Sequence, residues 1–302
     1  MNAPSPVPSG ALALVGDVAQ RQRRVERACL ERLERAGYRE VLLPVLEFAA
    51  GEERDGYRFL DGEGRLLALR TDFTPLAARI LAPCLATVTL PFAVCYSGEV
   101  LRPRPPRLRQ VAELYQLGFE RYGGEGGGEA ALSLMLELVT LAGVSLEACH
   151  LTVSRAGMGG EVLRRVAGSA EDPELLELLR ARDVDGLVAA AKAAGTVREA
   201  LEAALLAAPA DEWAPMLGVE GEVAALAPVL ALCRRAGLAA TVDVAPRLAG
   251  PYYTGTVFSL LGAETRGVIG GGGEYAVEAG GGRIAAAGAC LALGVALQEA
   301  VC

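Results

Sequence analysis

Four stretches of this sequence hold residues of the types that a small zwitterion needs. Asp72 and Thr74 stand in LRTDFT (69–74), and Gln116 and Glu120 in QLGFE (116–120). Tyr252 and Tyr253 open YYTGTVF (252–258), and Tyr275 follows a run of four glycines at 270–273. An ammonium group requires carboxylates and hydroxyls, which Asp72, Thr74 and Glu120 supply. A flat ring with polar edges requires hydrogen-bond partners and flat surfaces beside it, which Glu120, Tyr253 and Tyr275 supply. Gln116 can orient a carboxylate. Taken singly, each is equally at home as a polar residue satisfied in a sheet or turn. The glycine run alone reads as a loop: a phosphate-cradling loop leads directly into a helix, whereas Glu274-Tyr275-Ala276-Val277 reads as strand.

Composition narrows the classes. With 302 residues, 52% of them apolar, the chain can bury a full core as one large domain or one domain plus an insertion. No apolar run is of membrane-spanning length, and MNAPSPVPSG lacks the basic and apolar regions of a leader, so a soluble, cytoplasmic protein without membrane partners is expected. Seven cysteines without paired short spacing read as thiols in a reducing compartment. The single histidine, His150, precedes an apolar Leu-Thr-Val strand and reads as structural; no metal site or cofactor is expected. A net charge of −8 disfavours nonspecific binding to nucleic-acid backbones. The densest basic stretch, Arg102, Arg104, Arg107 and Arg109, also reads as a solvated proline-rich loop.

The elements that must position these residues follow from periodicity. Val18, Val25, Cys29, Leu33 and Ala36 recur at helical spacing from Asp17 to Ala36, with Gly37 placed to end the helix. YREVLLPVLEF is β-rich but broken by Pro44, and Asp55 to Arg70 reads as a hairpin around DGEGR. TDFTPLAARILA starts a helix capped by Thr71 or Asp72, with Pro75 near its first turn. Strands are expected at 92–101 and 111–120, a helix at 129–142, a strand at HLTVSRA, and a block of Ala/Leu/Glu/Arg helices over 160–236. ATVDVA, YYTGTVFSLL, TRGVIGG and GRIAAAG read as consecutive antiparallel strands, and a last helix as 288–300. This implies an α+β fold: a core of 1–159 and 237–302, its sheet assembled from both ends of the sequence, interrupted by a helical insertion at 160–236.

The order of the motifs carries a resemblance. Tyr252-Tyr253-Thr254-Gly255-Thr256-Val257-Phe258 followed by Gly271-Gly272-Gly273-Glu274-Tyr275 resembles the Tyr-Tyr-x-x-x-Val-Phe and Gly-Gly-Gly-x-Tyr of histidyl-tRNA synthetases, which are class II synthetases. Leu69 to Thr74 resembles that family's Leu-Arg-Pro-Glu-x-Thr, with Asp72 shorter than the usual Glu. Leu101-Arg102 through Gln116-x-Gly118-x-Glu120 lays over motif 2 without a gap, and YREVLLPVLE resembles motif 1, whose proline, here Pro44, sits at a dimer interface. The resemblance covers about 15–122 and 240–298. It implies a class II synthetase-like core, an antiparallel sheet flanked by helices. It also implies a histidine pocket formed by Asp72, Thr74, Arg102, Gln116, Glu120, Tyr252, Tyr253 and Tyr275.

The departures matter as much. Activating an amino acid on ATP builds negative charge that fixed cations must stabilise. Arg102 matches the motif 2 arginine. The family's Arg-Gly-x-Asp is Leu248-Ala249-Gly250-Pro251 here, with Arg247 out of register, and motif 3 reads Gly294-Val295-Ala296-Leu297-Gln298, with Ala and Leu where Glu and Arg belong. Each lost charge of this kind typically costs on the order of 2.7–4 kcal/mol in the barrier. The chain ends at Cys302, so no anticodon-binding domain and no tRNA partner are expected. These losses fit the regulatory subunits of ATP phosphoribosyltransferase, which resemble the synthetase without that domain. Membership implies a non-catalytic dimer within a hetero-oligomer that activates a short-form catalytic subunit and relays L-histidine feedback. The alternatives are a residual amino-acid-activating enzyme with a non-tRNA acceptor, and a stand-alone histidine sensor.

Overall fold

The computed structural model describes residues 7, 11, 13–49, 56–102, 112–124, 127–191, 196–206, 208–246 and 252–300. The elements run α1 (Asp17–Arg35), β1 (Arg39–Glu40), β2 (Leu46–Phe48), β3 (Arg58–Leu60), β4 (Leu66–Leu69), α2 (Phe73–Leu85), β5 (Phe92–Leu101), β6 (Glu113–Tyr122), α3 (Gly127–Leu141) and β7 (Cys149–Arg155). A helical block follows: α4 (Met158–Ala167), α5 (Pro173–Ala181), α6 (Val184–Ala191), α7 (Thr196–Leu205), α8 (Ala210–Leu217), α9 (Glu220–Ala224) and α10 (Ala227–Arg235). The chain then forms β8 (Ala239–Val242), β9 (Tyr253–Gly262), β10 (Val268–Ala279), β11 (Gly282–Ala292) and α11 (Leu293–Glu299). Among the described residues, no helix is long and apolar enough to cross a membrane.

Eight strands form one sheet in the order β1-β5-β6-β11-β10-β9-β7-β8, and β2-β4-β3 form a small second sheet. Strands from both ends of the sequence are therefore neighbours: β6 pairs with β11, with Glu120 opposite Gly288. The central six strands are antiparallel, but the edge strands β1 and β8 pair in parallel with β5 and β7. The expectation that ATVDVA continues an antiparallel succession is thus corrected. The helical block between β7 and β8 is the crossover that a parallel pair requires.

Two further boundaries differ from the sequence reading. Gly270–Gly273 lie inside β10, not in a loop, with β9 on one side and β11 on the other. The residues expected to begin the last helix at 288 belong to β11 up to Ala292, which pairs with β6 and β10 together. In both places a ladder on each side overrides weak intrinsic strand preference.

One face of the large sheet is covered by helices. Leu117, Phe119, Val153, Leu260 and Leu291 meet Leu33, Leu132, Met135 and Leu138 in one buried cluster. Val162, Leu201, Trp213 and Leu217 of the helical block join the same cluster, so that block shares the core of the sheet. Arg182, past the end of α5, is tied to Asp243 after β8 at 2.7 Å. His150 meets Thr241 Oγ1 at 2.9 Å across β7 and β8, a structural place for the single histidine. On the opposite face, α2 packs Ala77, Leu81 and Leu85 over Val94, Tyr122 and Tyr275.

Candidate functional site

The site lies on the α2 side of the sheet, where a row of glycines makes the floor. A Cβ on Gly118 would stand 2.6 Å from the Tyr96 ring, one on Gly273 would stand 2.9 Å from the Tyr253 ring, and one on Gly288 would stand 1.8 Å from Glu120 Oε2. These positions let one carboxylate and two aromatic rings lie flat across neighbouring strands.

Glu120 is the hub. It projects from β6 and is 1% exposed. Thr74 Oγ1 donates to its Oε1 at 2.5 Å, Tyr96 OH donates to the same oxygen at 2.9 Å, and Tyr275 OH donates to Oε2 at 2.8 Å. Burial nevertheless pushes its carboxyl up to about 7, against the lowering effect of those three hydroxyls. Burial also pushes the Tyr96 and Tyr275 phenols well above their ordinary value, so both stay donors at neutral pH. A carboxylate offers about four lone-pair directions, and three are taken. A ligand N–H can claim the fourth, and a cationic one would favour the ionised form.

Asp72 caps α2, accepting from Thr74 N at 3.1 Å, and also accepts from Tyr252 OH at 3.2 Å. One aspartate thus fixes the start of the helix that presents Thr74 and ties it to the start of β9. Tyr252 and Tyr253 pack with ring centroids 4.5 Å apart, and Tyr252 meets Tyr275 edge-on at 6.0 Å. Gln116 lies two pleats along β6 from Glu120 on the same face; it is buried, and its Oε1 finds no hydrogen-bond partner among the described residues. An orphaned buried acceptor costs about 1–3 kcal/mol, which a polar ligand would recover. Arg102 stands apart from the Glu120 network, past the end of β5, where Nε donates to the Thr71 carbonyl at 3.2 Å.

The structure thus joins Asp72, Thr74, Glu120, Tyr252, Tyr253 and Tyr275 in one cluster, with Gln116 along the strand and Arg102 at its edge. Two partners were missed from the sequence. Tyr96 completes the triad of hydroxyls, and Phe73 stacks on it with centroids 4.3 Å apart. The signal was present: Tyr96 alternates with Val94 on the face of β5 that meets Glu120. Of the departures tied to activation, Ala296 and Leu297 are buried in the apolar core under the sheet, so the motif 3 positions present no charge. Arg247 to Pro251 and the loop carrying Arg104, Arg107 and Arg109 lie outside the described residues.

Comparison with known proteins agrees with this geometry. The sequence profile of the histidyl-tRNA synthetase family matches residues 13–296. A relative from Rhodospirillum rubrum, described as an ATP phosphoribosyltransferase regulatory subunit, is 33% identical over 260 residues, which are 79% of this chain and 67% of the relative. For other relatives of the same description the matched share of their own length runs from 41% to 83%. A crystal structure from Bacillus halodurans, described as an ATP phosphoribosyltransferase regulatory subunit/histidyl-tRNA synthetase, superposes with a TM-score of 0.78 at 22% identity, covering 99% of this chain and 84% of that one. A chain of the ATP phosphoribosyl transferase (HisG:HisZ) complex from Thermotoga maritima superposes with a TM-score of 0.65 at 19% identity, covering 90% and 97%. At these identities the two superpositions establish the fold: a mixed sheet flanked by helices, as in class II synthetases.

Proposed function

Because this chain belongs to the histidyl-tRNA synthetase-like family of ATP phosphoribosyltransferase regulatory subunits, we propose that it activates a short-form catalytic subunit and carries histidine feedback to it. One observation supports this above the others. A polar pocket built around buried Glu120 is intact, while Ala296 and Leu297 occupy the motif 3 positions where an activating enzyme needs charge. In this reading the ammonium and imidazole of L-histidine are divided between Glu120 and the Asp72–Tyr252 pair. Tyr253 and Tyr275 supply the flat walls, and Gln116 and Arg102 face the carboxylate end. Histidine acts by shifting the population between two arrangements of this subunit against its partner. The shift is bounded by the difference in affinity: a tenfold preference supplies about 1.4 kcal/mol.

The test is formation of phosphoribosyl-ATP by the short-form catalytic subunit of the same organism, with and without this chain and then with histidine titrated in. The expected result is a rate increase that histidine reverses. No rate change and no co-elution of the two chains would overturn the proposal.

We also propose that the chain pairs with a second copy through the small sheet. Leu42 is 88% exposed, Phe48 65% and Leu60 66%, and Val45, Leu46, Phe59 and Leu66 are also exposed on or beside the same three strands. The registers put Leu46, Phe48 and Phe59 on one face of this small sheet and Leu60 and Leu66 on the other; exposed apolar side chains in this number mark an interface. Light scattering is expected to give a dimer mass for the natural chain and a monomer mass for the Phe48→Asp/Leu60→Asp variant; a monomeric natural chain contradicts the assignment.

A further inference from the structure

On the reverse face of the sheet from Glu120 lies a second cavity of about 280 Å³; of the residues assigned to the histidine pocket, only Tyr275 also borders it. Its polar lining is led by two arginines, Arg121 and Arg155. Arg121 projects from the end of β6, and Arg155 ends β7. Three strands, β11, β10 and β9, separate them in the sheet. At about 4.8 Å per strand their backbones stand about 19 Å apart, and the cavity is what remains between their side chains. The floor is kept low by Gly255, Ala285 and Ala287.

Neither arginine forms an ion pair with a described residue. Glu274 also lines the cavity; its Oε1 accepts from Gly128 N and its Oε2 from Thr256 N, each at 2.8 Å, which leaves a lone-pair direction free on each oxygen. The first turn of α3 also borders the cavity, through Gly127, Ala130 and Ala131, and its Gly128 N–H donates to Glu274. Tyr38 closes one side. In a chain of net charge −8, these two guanidinium groups outweigh Glu274, the one carboxylate among the described lining residues, and form a local positive site.

We propose that this cavity binds a phosphate group, either free or at the end of a small phosphorylated metabolite, held by Arg121 and Arg155 against the start of α3. Two guanidinium forks suit the tetrahedral oxygens of a phosphate. The volume, just below the usual range for ligand pockets, admits only a small molecule. β10 presents Glu274 to this cavity and Tyr275 to Glu120 on the other face, so an occupant would sit one sheet thickness from the histidine pocket.

Calorimetric titration of the full chain at constant ionic strength, with inorganic phosphate and separately with ribose 5-phosphate, tests the proposal. Saturable binding is expected, weakened about tenfold or more in Arg121→Gln/Arg155→Gln and less in Arg121→Lys/Arg155→Lys, which keeps charge without the fork. Tighter binding of the sugar phosphate identifies a metabolite as the occupant, and equal binding identifies the free anion. Heats that do not saturate with either probe, or equal affinity in the glutamine variant, overturn it. Neither probe contains histidine, so this outcome does not depend on the pocket around Glu120.

Discussion

Replacing Glu120 by alanine is expected to abolish the response to histidine while leaving activation of the catalytic subunit in place. Truncating one partner of a buried, hydrogen-bonded charge pair costs about 2–5 kcal/mol, so histidine affinity should fall about 30-fold or more. A direct histidine titration and the half-inhibiting concentration in the coupled assay both read this. Unchanged histidine sensitivity in Glu120→Ala would sink the assignment of the pocket. The same carboxylate predicts a pH signature. Its carboxyl titrates near 7 in the fold against an ordinary value of 4.5. The native state therefore binds the extra proton, so this group's contribution to stability is fully present below about 4.5 and lost as pH rises to about 7; it is on the order of 3 kcal/mol. Histidine binding runs the other way, because the ligand needs the ionised form. From pH 8 to pH 6 the affinity of the natural chain should fall about tenfold more than that of Glu120→Gln.

The second large effect concerns Arg70, which is 2% exposed. Its guanidinium donates to the Glu99 carbonyl at 2.6 Å and 3.0 Å and to the carbonyls of Leu43 and Pro44 at 2.9 Å each, and it lies 3.7 Å over the Phe73 ring. Three chain segments around the pocket meet on this one side chain. Arg70→Met keeps the apolar stem but strands three carbonyls, at about 1–3 kcal/mol each. The expected loss is about 3 kcal/mol or more, seen as a lower urea midpoint with an unchanged slope. A loss below about 1 kcal/mol would show that water reaches those carbonyls and that Arg70 is dispensable. Because Asp72 follows two residues later, the variant should also weaken histidine binding.

Much of the pocket was legible because its residues sit at local signals. Asp72 reads as a helix cap from its place before Phe73-Thr74-Pro75, and the cap is what delivers Thr74 to Glu120. The alternation of β6 puts Gln116 and Glu120 on one face. What sequence could not display is pairing at long range. Four successive glycines read as loop because isolated glycine disfavours strand; β9 and β11 on either side hold them extended. Gly288 carries no local sign of function, and only its register opposite Glu120 makes it the place where that side chain lies. The direction of β8 depended on where the helical block returns the chain, which composition does not encode.

The pairing of β6 with β11 also sets a timetable for the molecule. Strands β5 and β6 leave the ribosome with one long flank unsatisfied, and the partner for that flank is synthesised only after the whole helical block. Contacts this distant in sequence close slowly and leave a strand edge open to wrong partners meanwhile. The nascent chain therefore holds Thr74 and Glu120 well before it holds Tyr275, and any ligand that needs all three can stabilise the chain only after β10 is made.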